Sequence, residues 1–317
     1  MDALVLVEHD GGAADEVSLQ ALSLAAAYAD GAVNAVVIGA GADEPAGLGG
    51  VATAFVAELD GEAFAPDAWA AALCGLIGRL APGVVIAAGS DRGNDVMARV
   101  AARLDLPLAA NCTAAQPTGD GASVTRVRWG GSLLEEASLV GSPALLTTAP
   151  HAFAEAPRGG GAAIERFTPA LEDGDLLVSV REHVDAGGGG VSLADAAVVV
   201  SGGRGVGSAE AFAVVEELAG LLGAAVGCSR AVTMAGWRPH SDQVGQTGTK
   251  IAPDLYIPCG ISGATQHMAG CKGAKHLLAI NGDAAAPIFA SADYAVIGDL
   301  HEVLPAISEA IRKARQS

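Results

Sequence analysis

The segment QVGQTGTK (residues 243–250) places two glutamines, two threonines and two glycines beside a single lysine. None of these side chains is a strong acid, and none is a nucleophile with an adjacent base. Hydrolysis needs a positioned base, nucleophile or metal, whereas amides and hydroxyls on glycine-flexed backbone suit a large, planar ligand rich in heteroatoms. The segment therefore predicts a binding loop for a ligand that brings its own chemistry.

A second glycine-rich segment, VVVSGGRGVGS (198–208), lies where a predicted strand passes into a helix. Backbone amides at a helix start can approach a phosphate closely when no Cβ intervenes, and Arg204 offers two donors to phosphate oxygens. The glycine spacing is GxGxG, not the dinucleotide fingerprint GxGxxG. About 20 residues later the chain carries Arg230 rather than an acid for a ribose hydroxyl. The segment favours a pyrophosphate, with a plain tight turn as the alternative.

The segment CGISGATQHMAG (259–270) repeats this arrangement, because a predicted strand ends and polar side chains crowd the start of a helix. A lone histidine such as His267 at a helix start is more often a surface or capping residue. In an open α/β sheet, however, ligands bind at the carboxyl ends of the strands. That location would bring all three glycine-rich segments together and favours a ligand contact for His267.

The elements that position these segments are short apolar runs alternating with alanine-rich stretches of helical length. Runs of strand length include ALVLVEH (3–9), GVVIAAGS (83–90), SPALLTTAP (142–150), DLYIPCG (254–260), HLLAING (276–282) and DYAVIGD (293–299). This alternation predicts an α/β fold with two doubly wound domains and mostly parallel sheets. The glycine run DAGGGG (185–190) predicts a hinge between domains 1–187 and 188–317, and LHEVLPAISEAIRKARQ predicts a terminal helix.

Composition excludes several classes of function. The chain has 317 residues and a net charge of −18, which argues against nucleic acid and anionic membranes as partners. Its five cysteines form no CxxC pair, so we expect reduced thiols in a cytoplasmic protein rather than zinc or disulfides. We find no signal peptide, no membrane span, no Walker lysine pattern, no HExxH, no paired carboxylates and no Ser–His–Asp arrangement. No catalytic or metal-ligating residue is therefore predicted.

Seven motifs occur in one order over residues 195–316: SGGRG, GCSRAV, QVGQTG, LYIPCGISGATQH, AINGD, APIF and ADYAVIGDL. Together they resemble the C-terminal half of the electron transfer flavoprotein α subunit. GSDRGNDVMARVAARLDLP (89–107) and RWGGSLLEEA resemble its first half more loosely. The resemblance implies an electron carrier rather than an enzyme, with FAD held in the C-terminal domain and an N-terminal domain that serves assembly with a β subunit. It also implies AMP in the β subunit, flavoprotein dehydrogenases such as acyl-CoA dehydrogenases as donors, and a membrane quinone oxidoreductase as acceptor.

The resemblance further implies contacts for individual residues. Those near the FAD phosphates are Arg204 and Ser229, and those at the adenosine end are Asn281 and Asp299. Those along the isoalloxazine ring are Arg230, Gln243, Gly245, Gln246, Thr247, Ser262, Gly263, Ala264, Gln266 and His267. Within this set the Thr247 hydroxyl is expected at N5 and His267 on the O2 side.

Two expectations concern charge and packing around the ring. A cationic or donating His267 and a nearby Arg230 would raise the potential, because a reduced flavin accumulates negative charge. Met234 stands where the family commonly has Asp and is expected to alter the packing behind Arg230. Ala149 stands where an Arg is common, which puts in doubt the β-subunit contact or flavin-proximal role of that arginine.

Two other classes of function stay open on the residues alone. One is a flavin- or nicotinamide-dependent enzyme with its own substrate, which would need a base that the sequence does not offer. The other is a regulatory module that binds AMP or ATP without redox chemistry. Bound flavin would exclude the second, and reduction by a partner dehydrogenase without turnover of a free metabolite would exclude the first.

Overall fold

The computed structural model describes residues 1–10, 13–39, 48–59, 64–131, 133–157, 159–181 and 192–316. The chain divides into two compact units, Met1–His183 and Val184–Ser317. The glycine run that predicts a hinge lies outside the described residues, so the hinge stays a prediction. No helix in the described part of the chain is both long and apolar enough to cross a membrane.

In the described part of the N-terminal unit, three helices pack on one nine-stranded sheet. Its strands are β1 (Ala3–Val7), β2 (His9–Asp10), β3 (Ala13–Ala14), β4 (Val33–Ile38), β5 (Thr53–Ala57), β6 (Val84–Ala88), β7 (Leu108–Thr118), β8 (Gly121–Arg128), β9 (Leu133–Val140), β10 (Ala144–Thr148) and β11 (Ala163–Phe167). Its helices are α1 (Glu16–Tyr28), α2 (Pro66–Leu80) and α3 (Asp91–Leu104). The sheet has the order β11-β5-β4-β1-β6-β10-β7-β8-β9, while β2 and β3 form a separate ribbon.

The parallel part of this sheet confirms the predicted α/β fold. Strands β1, β6 and β10 are buried along their whole length, because α1 packs on one face and α2 and α3 pack on the other. Strands covered on both faces are expected to be continuous apolar runs, and these are. The Ser90 hydroxyl accepts a hydrogen bond from the Gly93 amide at 2.8 Å and caps α3. The segment GSDRGND is therefore the start of a helix.

The antiparallel strands β7, β8 and β9 are not predicted by the apolar runs. Along β9 half-buried and exposed residues alternate, and one side carries Glu136 and Ser138. A strand with one solvated face has no continuous apolar run. The apolar pattern therefore does not predict a strand in RWGGSLLEEA.

The C-terminal unit is a five-stranded parallel sheet with the order β13-β12-β14-β15-β16. Its strands are β12 (Val198–Gly202), β13 (Ala225–Cys228), β14 (Leu255–Cys259), β15 (His276–Asn281) and β16 (Tyr294–Ile297). Its helices are α4 (Ala213–Leu222), α5 (Arg230–Met234), α6 (Thr265–Met268) and α7 (Leu300–Gln316). After β12 the chain forms β13 on one side of β12, and it later returns to form β14 on the other side of β12. The carboxyl ends of β12 and β14 therefore flank a topological switch point, where ligands bind in such folds.

Two glycine turns touch each other at this switch point. The Gly203 amide donates to the carbonyl of Cys259 at 2.8 Å, and the Gly205 amide donates to the carbonyl of Gly260 at 3.1 Å. A Cβ on Gly203 would lie 2.1 Å from the Gly260 oxygen. Gly260 itself has φ +66°, in the left-handed region that favours glycine. Only glycine lets the two backbones approach this closely.

We expect Gly203→Ala to lower the free energy of unfolding by about 2 kcal/mol or more, because the new methyl group collides with backbone that cannot rotate away. Gly220→Ala is the matched control, since Gly220 lies in α4 and a Cβ there meets nothing within 4 Å. The control should be neutral or stabilising by up to about 1 kcal/mol. Denaturant titration of both variants measures the difference, and equal stabilities would show that the turns are not in tight contact.

Candidate functional site

A cavity of about 570 Å³ lies at the carboxyl ends of β12, β13, β14 and β15. Its volume is in the range of small-molecule sites. The residues that follow these four strands line it, so the three glycine-rich segments meet as expected. The predicted binding residues that line it are Arg204, Ser229, Arg230, Gln243, Gly245, Gln246, Thr247, Ser262, Ala264, Gln266, His267 and Asn281.

The remaining two predicted residues lie elsewhere. Asp299 lines a second cavity of about 430 Å³, which shares Gly205, Gly260 and Asn281 with the first. Gly263 is among the lining residues of neither cavity. It has φ +82°, and a Cβ there would lie 2.5 Å from the backbone of Ile288. In this chain Gly263 therefore allows a close backbone approach.

Asn281 and Asp299, the two residues expected at the adenosine end, also make hydrogen bonds to backbone groups. The Asn281 amide nitrogen donates to the Ile261 carbonyl at 2.9 Å, and its oxygen accepts from the Asp283 amide at 3.0 Å. The Asp299 carboxylate accepts from the His301 amide at 2.9 Å, at the start of α7. These bonds fix the loops that border the two cavities.

Several lining residues have no polar side chain that the sequence could reveal. Ala231, Val244, Ile261 and Ala286 contribute apolar surface. Asp283 also lines the cavity. It belongs to the motif AINGD, so the motif is the signal that could have found it.

The residues that line the cavity carry an excess of positive charge, whereas the whole chain is acidic. Arg204 and Arg230 line the cavity with one acid, Asp283, whereas the whole chain has a net charge of −18. A local excess of positive charge in an acidic protein favours an anionic ligand. Among the described residues, no group of three or more His, Cys, Asp or Glu side chains is arranged to hold a metal ion.

Backbone hydrogen bonds, within the loop and to the end of β13, fix the loop 243–249. The Val244 amide donates to the Cys228 carbonyl at 2.9 Å, and the Thr249 amide donates to the Gln243 carbonyl at 2.7 Å. A Cβ on Gly270 would lie 2.3 Å from the Gly245 nitrogen, so the turn after α6 and this loop also meet through glycine. The side chains of Gln246 and Thr247 are thus presented on a fixed frame.

His267 is a buried, neutral side chain. It is 7% exposed, and its Nε2 lies 2.7 Å from the Tyr256 hydroxyl. Burial lowers the pKa of His267 to about 4, with a smaller opposing effect from the Val244 backbone. Burial also raises the pKa of Tyr256. The prediction of a cationic His267 is therefore wrong at neutral pH in the chain alone, and the prediction of a donating imidazole stays open.

The two departures from the family pattern lie in different environments. Met234 is 78% exposed in the chain alone, and its effect on the packing behind Arg230 stays a prediction. Ala149 is buried in the N-terminal unit, and the doubt about a partner contact there stays a prediction. All five cysteines are free, and four of them are buried.

The neutral state of His267 predicts a pH dependence of stability. The pKa falls from 6.5 to about 4 on folding, so the unfolded chain binds a proton first. The neutral imidazole of His267 therefore contributes to the free energy of unfolding fully above about pH 6.5, and this contribution is lost as the pH falls towards 4. Relative to His267→Gln, the wild type should lose up to roughly 3 kcal/mol of unfolding free energy between pH 7 and 4.

Denaturant titrations across this pH range measure the loss. His301→Gln, at an exposed histidine in α7, serves as the control and should follow the wild type. A His267→Gln variant with the same pH dependence as the wild type would show that the imidazole is not held neutral.

Comparison with known proteins gives one consistent family. Residues 3–172 match the electron transfer flavoprotein domain, and residues 192–272 match the electron transfer flavoprotein FAD-binding domain. An electron transfer flavoprotein subunit alpha from Mycobacterium tuberculosis is 42% identical over 323 residues, covering 99% of both chains. The subunit alpha from Mycobacterium leprae is 38% identical with the same coverage. That from Paracoccus denitrificans is 39% identical, covering 97% of this chain and 99% of the relative.

These matches confirm the resemblance, and they extend over both units of the chain. The chain belongs to the electron transfer flavoprotein family as an α subunit, an FAD-domain electron carrier that forms a heterodimer with a β subunit.

Proposed function

We propose that FAD binds in the cavity at the carboxyl edge of the C-terminal sheet. The observation that carries this proposal is the convergence of two arginines and the neutral 243–249 loop on one cavity. Arginines suit a pyrophosphate, and amides and hydroxyls suit the heteroatoms of a planar ring. When bound, FAD supplies the redox chemistry.

The residues present fit this cofactor. The cavity of about 570 Å³ shares the lining residues Gly205, Gly260 and Asn281 with one of about 430 Å³, which places two compartments side by side for an extended ligand. Glycines 203, 205 and 260 let the two turns that border the cavities pack backbone to backbone, where a Cβ would collide. Nδ1 of His267 is buried and has no hydrogen-bond partner among the described residues, so a polar ligand atom would satisfy it.

Each residue then has a role in binding or orientation. Arg204 and Ser229 hold the phosphates, and Arg230 and His267 border the ring. The Thr247 hydroxyl faces N5, and Asn281 and Asp299 border the adenosine. The remaining ring contacts in this proposal are Gln243, Gly245, Gln246, Ser262, Ala264 and Gln266, while Gly263 shapes the backbone between Ser262 and Ala264.

The proposed redox partners follow from the family. The heterodimer takes electrons from flavoprotein dehydrogenases, such as acyl-CoA dehydrogenases, and passes them to a membrane quinone oxidoreductase. The β subunit binds AMP, and domain 1–187 serves assembly with it. Exposed apolar side chains in the N-terminal unit, including Trp129, Leu134 and Val140, support such a role. Free cysteines suit the reducing cytoplasm, where we place the complex.

We expect Arg204→Ala to weaken FAD binding by about ten- to a hundredfold, since it removes charge-assisted bonds worth roughly 1.5–3 kcal/mol. Fluorescence titration of the heterodimer with FAD measures this affinity. Arg181→Ala removes the same charge from an exposed position in the N-terminal unit and should bind like the wild type. Equal affinities of the two variants would place the phosphates elsewhere.

We expect Arg230→Ala to retain FAD but to lower its one-electron midpoint potential by about 50 mV. Removing a positive charge beside the ring costs roughly 1–2 kcal/mol after solvent screening. A spectroscopic redox titration beside wild type and Arg181→Ala measures the shift. An unchanged potential with FAD retained would mean that Arg230 does not border the ring.

A further inference from the structure

A chain of three side chains leads from α5 to the cavity. The Thr233 hydroxyl donates to the Gln243 side-chain oxygen at 2.8 Å, and the Gln243 amide nitrogen donates to the Thr247 hydroxyl oxygen at 3.0 Å. Gln243 is 2% exposed, so its amide depends on protein partners. Thr247 lines the cavity and Thr233 does not. We call these three residues the Thr233–Gln243–Thr247 relay.

The direction of the relay decides what Thr247 offers to the cavity. A threonine hydroxyl has a single hydrogen to donate. Because the Gln243 amide donates to Thr247, the hydrogen of Thr247 is left for a ligand. In the reverse direction, the Gln243 oxygen would accept the Thr247 hydrogen, and the cavity would meet only an acceptor.

Thr233 is the residue that distinguishes the two directions. Its hydroxyl supplies the donor that the buried Gln243 oxygen needs, although the backbone oxygen of Arg230, at 3.0 Å, competes for the same hydrogen. Without this hydroxyl the amide would satisfy its oxygen by turning it towards Thr247. A buried amide oxygen without a donor is costly, which would drive that reversal.

We propose that Thr233 is a positioning residue that makes Thr247 a hydrogen-bond donor to the ligand of the cavity. The inference rests on the proposed function, in which that ligand is FAD. An added electron makes the ring heteroatoms stronger acceptors, and a bond to a charged acceptor is stronger than a bond to a neutral one. A donor at Thr247 therefore raises the potential for the first electron.

The test uses the FAD-loaded heterodimer with Thr233→Val and Thr233→Ser. Valine keeps the shape of threonine without its hydroxyl, and serine keeps the hydroxyl. At a fixed potential, Thr233→Val should lower the ratio of one-electron-reduced to oxidised flavin by about three- to tenfold, or about 30–60 mV. Thr233→Ser should retain the wild-type potential.

A double-mutant cycle with Thr247→Val separates positioning from a general structural effect. If Thr233 acts through Thr247, then Thr233→Val should cause no further shift in the Thr247→Val background. An equal shift in both backgrounds, a wild-type potential in Thr233→Val, or a failure of Thr233→Ser to restore the potential would overturn the relay. A wild type that binds no FAD would instead overturn the proposed function, and the relay's role with it.

Discussion

Two glycine turns meet backbone to backbone at the switch point of the C-terminal sheet, and the site depends on that contact. With Cβ atoms absent, the turn after β12 and the turn after β14 share hydrogen bonds directly. The same contact brings Arg204, which lies within the first turn, to one cavity with Ser262 and His267, which follow the second. A sheet with the strand order 2-1-3-4-5 provides the crevice, and the glycines allow the backbone contact that borders it.

The chemistry of the site is mainly that of neutral hydrogen bonds. His267 is held neutral by burial beside Tyr256, and Gln243 is buried between two threonines. The two arginines supply the positive charge. Such an arrangement can hold and tune a cofactor, because the Thr233 hydroxyl and the Gln243 amide each donate to the next side chain towards the cavity. It suits an electron carrier, whose protein part has no bond of its own to break or form.

Much of the C-terminal unit could be predicted because local pattern and topology agree there. Each apolar run predicts a parallel strand, and the glycine segments at 203–207 and 260–263 follow the carboxyl ends of two of these strands. The motifs then predict that Thr247 and Asn281 lie at one edge of the sheet. The antiparallel strands β7–β9 were missed because one solvated face interrupts the apolar pattern. The neutral state of His267 was missed because burial beneath Tyr256 is a tertiary property, which spacing in the sequence does not show.

The most direct test of the central claim is an experimental structure of the FAD-loaded heterodimer. We predict that the isoalloxazine ring contacts Arg230, Thr247 and His267 at the carboxyl edge of the C-terminal sheet. Residues 192–316 of this chain should make most of its contacts with FAD. A structure in which the ring is buried mainly among residues 1–187 would contradict the account.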